Sequence, residues 1–557
     1  MRNLMTTRGW SAVLFVGLLA GPALAQKSVR ESVDSAGLEG NDASQRPSIS
    51  RNARRVAFAS DADNLAMGDA NLATDVFLRN EATGMTYLVS RNSGGVQGNG
   101  ASDDPHLAAL GSFVAFRSDA TNLVGGDVNM AGDVFLRDLT GGATALVSVN
   151  SGGALGDGAS FEPFVTANGR FVAFTSLATN LDFGDMNGLE DCFVHDFSTG
   201  NTWCITLNGA GVINANGPSH DPTLSADGRF AAFASDASNL VAGDNNAATD
   251  VFLRNLVTGV TRRISATAGG VDANGASSKP WISEDGRFVV YQSKATNLVA
   301  GDVNMKTDVF VFDRVALTTT LVSTSSNGGQ GDDDSSNPVI SSTGDVVAFT
   351  SLATNLIPSD TNLTSDVFVH DMNLVTTHRV SLTHYLGEPT GSSDWASISG
   401  DGQTVAFESD AADIVPNDMN AVIDVFEHAY PLATSTNYGA GLAGTFGVPA
   451  ILLSADPVIG TSPILVIGNS NPMPTNGLLF IGLSTANQPT GWGGNLLVNP
   501  VQVLPIALPA GALNLSFDVP FDETLEGSSL YLQALENDPG AIMGFSFTRG
   551  LHARFGW

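Results

Sequence analysis

The sequence predicts an all-β protein, a seven-bladed β-propeller of four-stranded blades followed by a small β-sandwich. The main observation is a segment, first met at residues 56–77, that occurs seven times at intervals of 58 or 59 residues. Each repeat holds four short apolar runs separated by turn signals, the pattern of a propeller blade. An aromatic residue is followed 17 residues later by aspartate in every copy. The pairs are Phe58 with Asp75, Phe116 with Asp133, Phe174 with Asp191, Phe233 with Asp250, Tyr291 with Asp308, Phe349 with Asp366 and Phe407 with Asp424.

The first 25 residues have the order of a secretory signal peptide. Arg2 and Arg8 precede an apolar run at residues 12–19, and small residues follow up to Ala25. We expect cleavage after Ala25 and a mature chain that is secreted, periplasmic or on the cell surface. No later apolar run reaches the roughly 20 residues that span a bilayer, so we expect no transmembrane segment.

The formal net charge of −31 restricts the possible partners. An acidic surface repels phosphate backbones, which argues against nucleic acid. We expect a monomer whose partner is a protein or a glycan.

The opening of the mature chain looks like the end of a repeat. Residues 28–50 align without a gap on the end of the second copy, with Ser32 and Val33 in the places of Ser148 and Val149. The seventh copy ends near Glu427 without a fourth strand. Because an open array leaves unpaired sheet edges, we expect residues 28–35 to supply the missing outer strand. The expected domains are a propeller at 26–430, a linker at 431–437 and a C-terminal β-sandwich at 438–557.

The repeats resemble those of a known family. The segments at 225–233 (SADGRFAAF) and 283–288 (SEDGRF), with the Asp-Val-Phe and Thr-Gly segments, are similar to the WD-like repeats of TolB-type propellers. The resemblance covers residues 28–430 and implies the fold, but little about activity, because propellers serve as binders, scaffolds and enzymes. The C-terminal part, with Gly439, Gly441, Gly444 and the segments at 525–527 and 530–533, resembles a β-domain of secreted proteins from environmental bacteria.

The loop before each third strand carries a candidate cation site. An aspartate is followed by asparagine two residues on and by a second aspartate four residues later. The seven sets are Asp69, Asn71, Asp75; Asp127, Asn129, Asp133; Asp185, Asn187, Asp191; Asp244, Asn246, Asp250; Asp302, Asn304, Asp308; Asp360, Asn362, Asp366; and Asp418, Asn420, Asp424. Oxygen ligands at this spacing suit calcium. The alternative is that these side chains cap backbone N–H groups in turns.

Two cysteines, Cys192 and Cys204, lie on either side of a turn in the third repeat. They allow either a cross-strand disulfide or two buried thiols.

No motif argues for catalysis. His195, His370 and His428 share one blade position with arginines of other copies, which predicts an exposed polar site beside a turn. The strongest departures from the repeat are His106, His220 and Trp395. We therefore predict a non-catalytic binding or scaffold propeller that presents an acidic loop face, with no certain cofactor and calcium as a candidate. The alternative is an extracellular polysaccharide hydrolase or lyase that uses paired carboxylates.

Overall fold

The computed structural model describes residues 28–555 except 183–186, 209–213, 359, 385–386, 431–433, 439, 455–456, 458–462, 472, 492–493, 518, 520–527 and 542. The predicted signal peptide and Asp185 lie outside the described residues. The chain divides into a compact unit at Lys27–Ala429 and a second that contains Tyr430–Trp557. Every regular element in the described residues is a β-strand, and none of those residues belongs to an apolar helix long enough to span a bilayer.

Seven four-stranded antiparallel sheets form the first unit, which is an all-β propeller. The chain opens with β1 (Val29–Arg30). Blades 1 and 2 are β2 (Ser44–Ile49), β3 (Arg55–Ser60), β4 (Asp75–Asn80), β5 (Met85–Leu88), and β6 (Ser102–Leu107), β7 (Phe113–Ser118), β8 (Asp133–Asp138), β9 (Thr144–Leu146). Blades 3 and 4 are β10 (Ser160–Val165), β11 (Phe171–Ser176), β12 (Asp191–Asp196), β13 (Asn201–Cys204), and β14 (Ser219–Leu224), β15 (Phe230–Ser235), β16 (Asp250–Asn255), β17 (Thr261–Arg263). Blades 5 and 6 are β18 (Ser277–Ile282), β19 (Phe288–Ser293), β20 (Asp308–Asp313), β21 (Thr318–Leu321), and β22 (Ser335–Ile340), β23 (Val346–Ser351), β24 (Asp366–Asp371), β25 (Thr376–Arg379). Blade 7 has β26 (Ser393–Ile398), β27 (Thr404–Ser409) and β28 (Asp424–Ala429).

The seventh blade takes its fourth strand from the start of the chain. β1 pairs antiparallel with β28, with Val29 opposite Glu427 and Arg30 opposite Phe426. Ser32 Oγ donates a hydrogen bond of 2.5 Å to Asp424 Oδ1. Blade 7 is thus assembled from both ends of the propeller unit.

The contact between blade 7 and blade 1, which we call the closing seam, has acidic residues where the other six contacts between blades have aliphatic ones. Glu31 is 0% exposed at a position where the other blades have valine or isoleucine. Glu427 stands where the others have leucine or valine, and its carboxyl group and that of Glu31 lie near Glu81 of blade 1. Burial raises the pKa of Glu31, and it raises the pKa of Glu427 to about 8. Carboxylic acids therefore replace aliphatic side chains at this seam.

The hydrophobic core lies between neighbouring blades. In each blade an aromatic side chain of the second strand packs on a phenylalanine of the third, as Phe58 does on Phe77 with ring centroids 6.0 Å apart. Aliphatic residues of the preceding blade, such as Ala406 and Val425, pack against that pair. This layer explains why the aromatic position recurs in every repeat.

The first strand of each blade carries a β-bulge that the repeat pattern does not predict. Its strand pairing shifts register at this point in all seven blades. The third residue of the strand has a positive φ between 49° and 56°. The seven residues are Arg46, Asp104, Glu162, Asp221, Lys279, Asn337 and Trp395. A bulge re-aims a side chain, so this residue can point in a direction that regular pleating forbids.

Strand register settles how the two cysteines lie. Cys204 is opposite Phe193, the residue after Cys192, so the two side chains point to opposite faces of the sheet. Cys192 packs with blade 4 and Cys204 with blade 2. Both side chains are buried, and this placement favours the second of the alternatives left open by the sequence, two buried thiols. A disulfide would require one of the two cysteine side chains to move to the other face of the sheet.

The described residues of the second unit form two antiparallel sheets. Its strands are β29 (Thr434–Tyr438), β30 (Ile451–Leu453), β31 (Ile464–Gly468), β32 (Thr475–Pro489), β33 (Asn495–Leu508), β34 (Ala512–Ser516), β35 (Ser529–Asn537), β36 (Phe545–Phe547) and β37 (Gly550–Arg554). One sheet has the order β29-β37-β35-β32-β33 with β36 on β35, and the other is β30-β31-β34. Residues 434–437, which the sequence predicts to be linker, belong to β29.

Candidate functional site

The asparagine of each predicted cation loop builds a turn. Its Oδ1 accepts a hydrogen bond from the backbone N–H two residues on in all seven blades, as Asn129 Oδ1 does from Ala131. Its Nδ2 donates to a backbone carbonyl of the next long loop, as Asn129 does to Gly156. The asparagines therefore cap and brace the loops.

The second aspartate of each loop is held by a hydroxyl group. Its Oδ1 accepts from a serine or threonine two residues beyond the fourth strand, as Asp133 does from Ser148 at 2.6 Å. The same hydroxyl oxygen accepts the backbone N–H that follows the aspartate, as Ser148 does from Val134. We call the two aspartates, the asparagine and this hydroxyl the carboxylate clasp. It ties the third strand to the outer edge of each blade.

In blades 1 and 5 a glutamine joins the carboxylates of the two aspartates of the loop. Gln97 Nε2 donates to Asp69 Oδ1 and to Asp75 Oδ2, both at 2.7 Å. Gln330 makes the same two bonds in blade 5, at 2.7 and 3.0 Å. The two hydrogens of one amide thus join the two carboxylates.

Blades 4, 6 and 7 bridge the carboxylates with arginine. Arg263 Nη1 lies 3.0 Å from Asp244 Oδ1 and 3.4 Å from Asp250 Oδ2, and its Nη2 pairs with Asp272. Arg379 joins Asp360, Asp366 and Glu388, and Arg30 joins Asp418, Asp424 and Glu39. The carboxyl groups of these last two sets lie close enough to hold a metal ion, but a guanidinium group already lies among them. In these blades the chain supplies its own cation.

Blade 2 has neither bridge. The bridging positions hold Leu146 and Leu155, and Asp127 Oδ1 is buried without a hydrogen-bond partner. In blade 3 the corresponding first aspartate, Asp185, lies outside the described residues.

The arginine bridges leave a signal in the sequence. Arg30, Arg263 and Arg379 occupy a position that is leucine or cysteine in the other copies. Each is followed nine residues later by an acid, where blades 1 and 5 have glutamine. Comparison of these two positions across the seven repeats would have predicted which loops contain an arginine bridge.

Burial is the main influence on the protonation of the clasp. It raises the pKa of Asp75 to about 6, of Asp418 to about 6 and of Asp360 to about 7. Removal from water disfavours a carboxylate unless a partner compensates.

A second candidate site lies on the propeller axis. The seven bulge residues come from the first strands, which contact one another around the ring. We call them the axial ring; they line a cavity of about 330 Å³. The next residue is proline in six blades and Ala396 in the seventh, whereas the ring residues differ in chemistry from blade to blade.

The axial ring is divided by charge. Blades 2, 3 and 4 contribute Asp104, Glu162 and Asp221, which form an acidic arc. Blades 5, 6, 7 and 1 contribute Lys279, Asn337, Trp395 and Arg46. At the two junctions Arg46 pairs with Asp104, and Lys279 Nζ lies 2.7 Å from Asp221 Oδ1.

The tryptophan of the ring lies between the two cations. The guanidinium carbon of Arg46 is 5.3 Å from the centroid of the Trp395 ring, and Lys279 Nζ is 5.8 Å from it. Both distances fall within the range of cation–π contact. Trp395 is half-buried and lines the cavity.

Two carboxyl groups of the acidic arc have opposite electrostatic environments. Burial, followed by the charge of Asp221, raises the pKa of Glu162. Burial acts to raise the pKa of Asp221 as well, but the hydrogen bond with His220 and the charge of Lys279 outweigh it and hold the value at about 2. Asp221 is thus ionised while Glu162 holds its proton more tightly than an ordinary glutamate.

The floor of the cavity is aromatic. The His106 ring lies 4.0 Å from that of Phe164 and 5.6 Å from that of Trp281, centroid to centroid. His106 Nδ1 accepts a hydrogen bond from Val165 N, and burial lowers its pKa to about 3. We call the cavity, with its polar rim and apolar floor, the axial cup.

The structure places the three departures from the repeat on these axial strands. Trp395 belongs to the rim, His106 to the floor, and His220 contacts Asp221 at 2.8 Å. The other ring residues were missed by the sequence analysis. The signal was the residue before the repeated proline, which varies while its neighbours do not.

The prediction of an exposed position for three other histidines is wrong. His195, His370 and His428 are all buried. His195 and His370 bind a threonine hydroxyl of the outer strand at 2.8 Å, as the arginines of other blades do. The same threonine hydroxyl donates to a backbone carbonyl that follows the fourth strand of the preceding blade, as Thr144 does to Arg91 and Thr202 to Val149. The side chain at this position is therefore covered at the contact between two blades.

Comparison with known proteins identifies no family. No protein-family model and no curated protein matches the chain. Among solved structures, it is similar to TolB from Agrobacterium tumefaciens at 14% identity, covering 62% of this chain and 94% of that one, with a TM-score of 0.34. A prolyl endopeptidase is similar at 12% identity, covering 84% and 61%, with a TM-score of 0.44. A chain of the mitotic checkpoint complex is similar at 10% identity, covering 76% and 100%, with a TM-score of 0.38. At such identities the likeness concerns the fold alone, and the propeller assignment rests on the strand order of the seven blades.

Proposed function

We propose that this chain is an exported, non-catalytic binding propeller whose ligand is a glycan held in the axial cup. The signal-peptide pattern of the first 25 residues supports the location. The cup supports the binding function, because it is the cavity where side chains differ from blade to blade while the surrounding frame repeats.

The observation that carries the proposal is that Trp395 lines the cup together with carboxylate, amide and guanidinium groups. An aromatic ring can cover the apolar face of a sugar, and carboxylate, amide and guanidinium groups can bond its hydroxyls. The volume of about 330 Å³ lies at the lower end of the range for small-ligand sites, which suits one end or a short segment of a glycan. The mixture of charges on the rim favours a neutral or amino sugar over a polyanion.

The proposal is tested by glycan-array binding of the mature protein, followed by titration of any hit with the Trp395→Ala variant. We expect the loss of the ring to weaken binding at least tenfold. Trp203→Ala is the matched control, since Trp203 lies in the outer strand of blade 3, away from the cup. A protein captured in a parallel pull-down, bound equally by both variants, would replace the glycan by a protein partner elsewhere on the loop face.

One observation favours the alternative of a polysaccharide hydrolase. Glu162 and Asp221 lie in one cavity with environments that push their pKa values apart, as an acid and an ionised partner require. Glu162 Oε2 is already engaged, since it accepts from Asp221 N at 2.9 Å and from Thr175 Oγ1 at 2.8 Å. Reducing-end assays on bound glycans separate the two functions: turnover that Glu162→Gln abolishes, with binding intact, would establish the hydrolase.

A further inference from the structure

Blade 2 differs from blades 1, 4, 5, 6 and 7 at a single bridging point. In blades 1 and 5 an amide nitrogen, and in blades 4, 6 and 7 a guanidinium group, contacts both carboxylates of the clasp. In blade 2 the two positions that supply these groups hold Leu146 and Leu155. No bridging group from the described residues contacts both carboxylates of this blade.

The atom left without a partner is the one bridged elsewhere. Asp127 is 8% exposed, and its Oδ1 has no hydrogen-bond partner. The corresponding Oδ1 of Asp69 receives Gln97, and that of Asp244 receives Arg263. A buried carboxylate oxygen without a donor costs free energy that blades 1, 4 and 5 avoid at this atom. In blade 7 the Oδ1 of Asp418 also lacks a partner, but Arg30 pairs with the other oxygen of that carboxylate.

The geometry of the bridge suits a cation. In blade 1 a single nitrogen contacts both carboxylate oxygens at 2.7 Å, so one atom can reach both. Calcium–oxygen distances of ~2.3–2.6 Å are close to this value. Asp133 retains its bonds from Ser148 and Asn129, so its carboxylate is already oriented.

We propose that Asp127 and Asp133 of blade 2 bind a calcium ion, which takes the place of the glutamine bridge of blades 1 and 5 and of the arginine bridge of blades 4, 6 and 7. Two carboxylates match a divalent charge. The neighbouring Val128 and Met130 are exposed, so the loop is open to water, which completes the coordination shell. Calcium tolerates such an irregular coordination shell with several water ligands, whereas magnesium demands near-ideal octahedral geometry.

The site should be of modest affinity. Few protein oxygens contribute, so we expect a Kd of ~10⁻⁴–10⁻³ M, as in extracellular calcium modules. The ion should therefore bind outside the cell or in the periplasm at millimolar calcium and dissociate on dialysis against chelator.

The chain supplies its own matched variants. Leu155→Gln installs the bridge of blades 1 and 5 and should abolish calcium binding at this site while the fold is kept. Gln97→Leu removes the bridge of blade 1 and should add one calcium site. Asp127→Asn keeps the shape and removes one charge, and should weaken binding at least tenfold.

The experiment is calorimetric titration of the mature protein and of each variant with calcium, magnesium and sodium chlorides at fixed ionic strength. A calcium-selective response that Leu155→Gln lowers by one site and Gln97→Leu raises by one supports the proposal. Calcium binding unchanged by Leu155→Gln would overturn it. A wild-type protein that binds no calcium at 10 times the expected ~10⁻³ M limit would also overturn it and leave a shared proton between the carboxylates.

Discussion

The carboxylate clasp and the axial ring both occur once in every blade, yet they differ in how much their chemistry varies. The clasp keeps aspartate, asparagine, aspartate and a hydroxyl residue throughout. The ring has Arg, Asp, Glu, Asp, Lys, Asn and Trp on an unchanged bulge. The difference indicates that the clasp contributes to stability, whereas the ring is available for recognition. Changes in the clasp should then alter the stability of the protein without altering glycan binding. Changes in the axial ring should alter glycan binding with little effect on stability.

The largest effect should come from deletion of residues 28–35. This removes β1, the hydroxyl of the seventh clasp and Arg30, which leaves Asp418 and Asp424 without their cation. A buried charge that loses its partner costs ~3–5 kcal/mol, and the lost backbone hydrogen bonds add ~0.5–1.5 kcal/mol each. We expect the propeller to melt on the order of 10 °C lower or to fail to fold.

Calorimetry of the deleted protein measures this effect, with a chain that begins at Ser28 as the control. Melting at the control's temperature would mean that the clasp of blade 7 contributes no stability.

The next effect concerns the arginine bridge of blade 4. Arg263→Leu leaves three carboxylates together and should destabilise the protein by ~3–5 kcal/mol. The double variant Arg263→Leu, Asp272→Gln reproduces the Leu and Gln pair of blade 1 and should recover most of that loss. Urea unfolding measures both, and a double variant no more stable than the single one would show that the two bridges are not interchangeable.

A smaller effect should appear with pH at the closing seam. Glu31 faces Glu427 of blade 7 and Glu81 and Arg79 of blade 1. The pKa of Glu31 is raised, and that of Glu427 is raised from 4.5 to about 8. The folded protein therefore binds more protons than the unfolded chain, so this stability is present at acid pH and lost as the pH rises through about 8.

We expect a loss of ~1–3 kcal/mol between pH 6 and pH 9. Glu31→Val, which restores the residue type of the other seams, should reduce this slope, and thermal melts across that range measure it. A Glu31→Val protein with the wild-type slope would place the titrating groups elsewhere.

The smallest effect on stability should come from the axial ring. Lys279→Gln removes an ion pair whose lysine is 38% exposed and whose aspartate, Asp221, is 9% exposed. The glutamine amide can still donate a hydrogen bond to that carboxylate, so we expect a loss of only ~1 kcal/mol. The effect of this substitution on ligand binding, measured by titration with the same glycan as Trp395→Ala, should be larger than its effect on melting. The contrast between clasp and ring would fail if Lys279→Gln destabilised the protein as much as Arg263→Leu.

The repeats made much of the fold predictable, because period and strand pattern are properties of the whole chain. The all-β propeller is confirmed, and the turn role of the asparagines was one of the two alternatives that the sequence offered. The bulge was not predictable, since Arg46 or Asp104 before proline gives no local sign of a positive φ. The opposite faces of Cys192 and Cys204 depend on strand register, which a turn of uncertain length leaves undefined. The burial of His195 depends on a hydroxyl of the neighbouring strand and on the preceding blade.

The pairing of β1 with β28 also has a consequence in time. Ser32 and Asp424 are 392 residues apart along the chain, so the segment that is synthesised first has to wait for the last blade. Contacts between distant parts of a chain form late and slowly, and an unpaired strand edge can associate with other chains in the meantime. During folding the propeller therefore stays open and prone to association with other chains until blade 7 has formed and β1 can pair with β28.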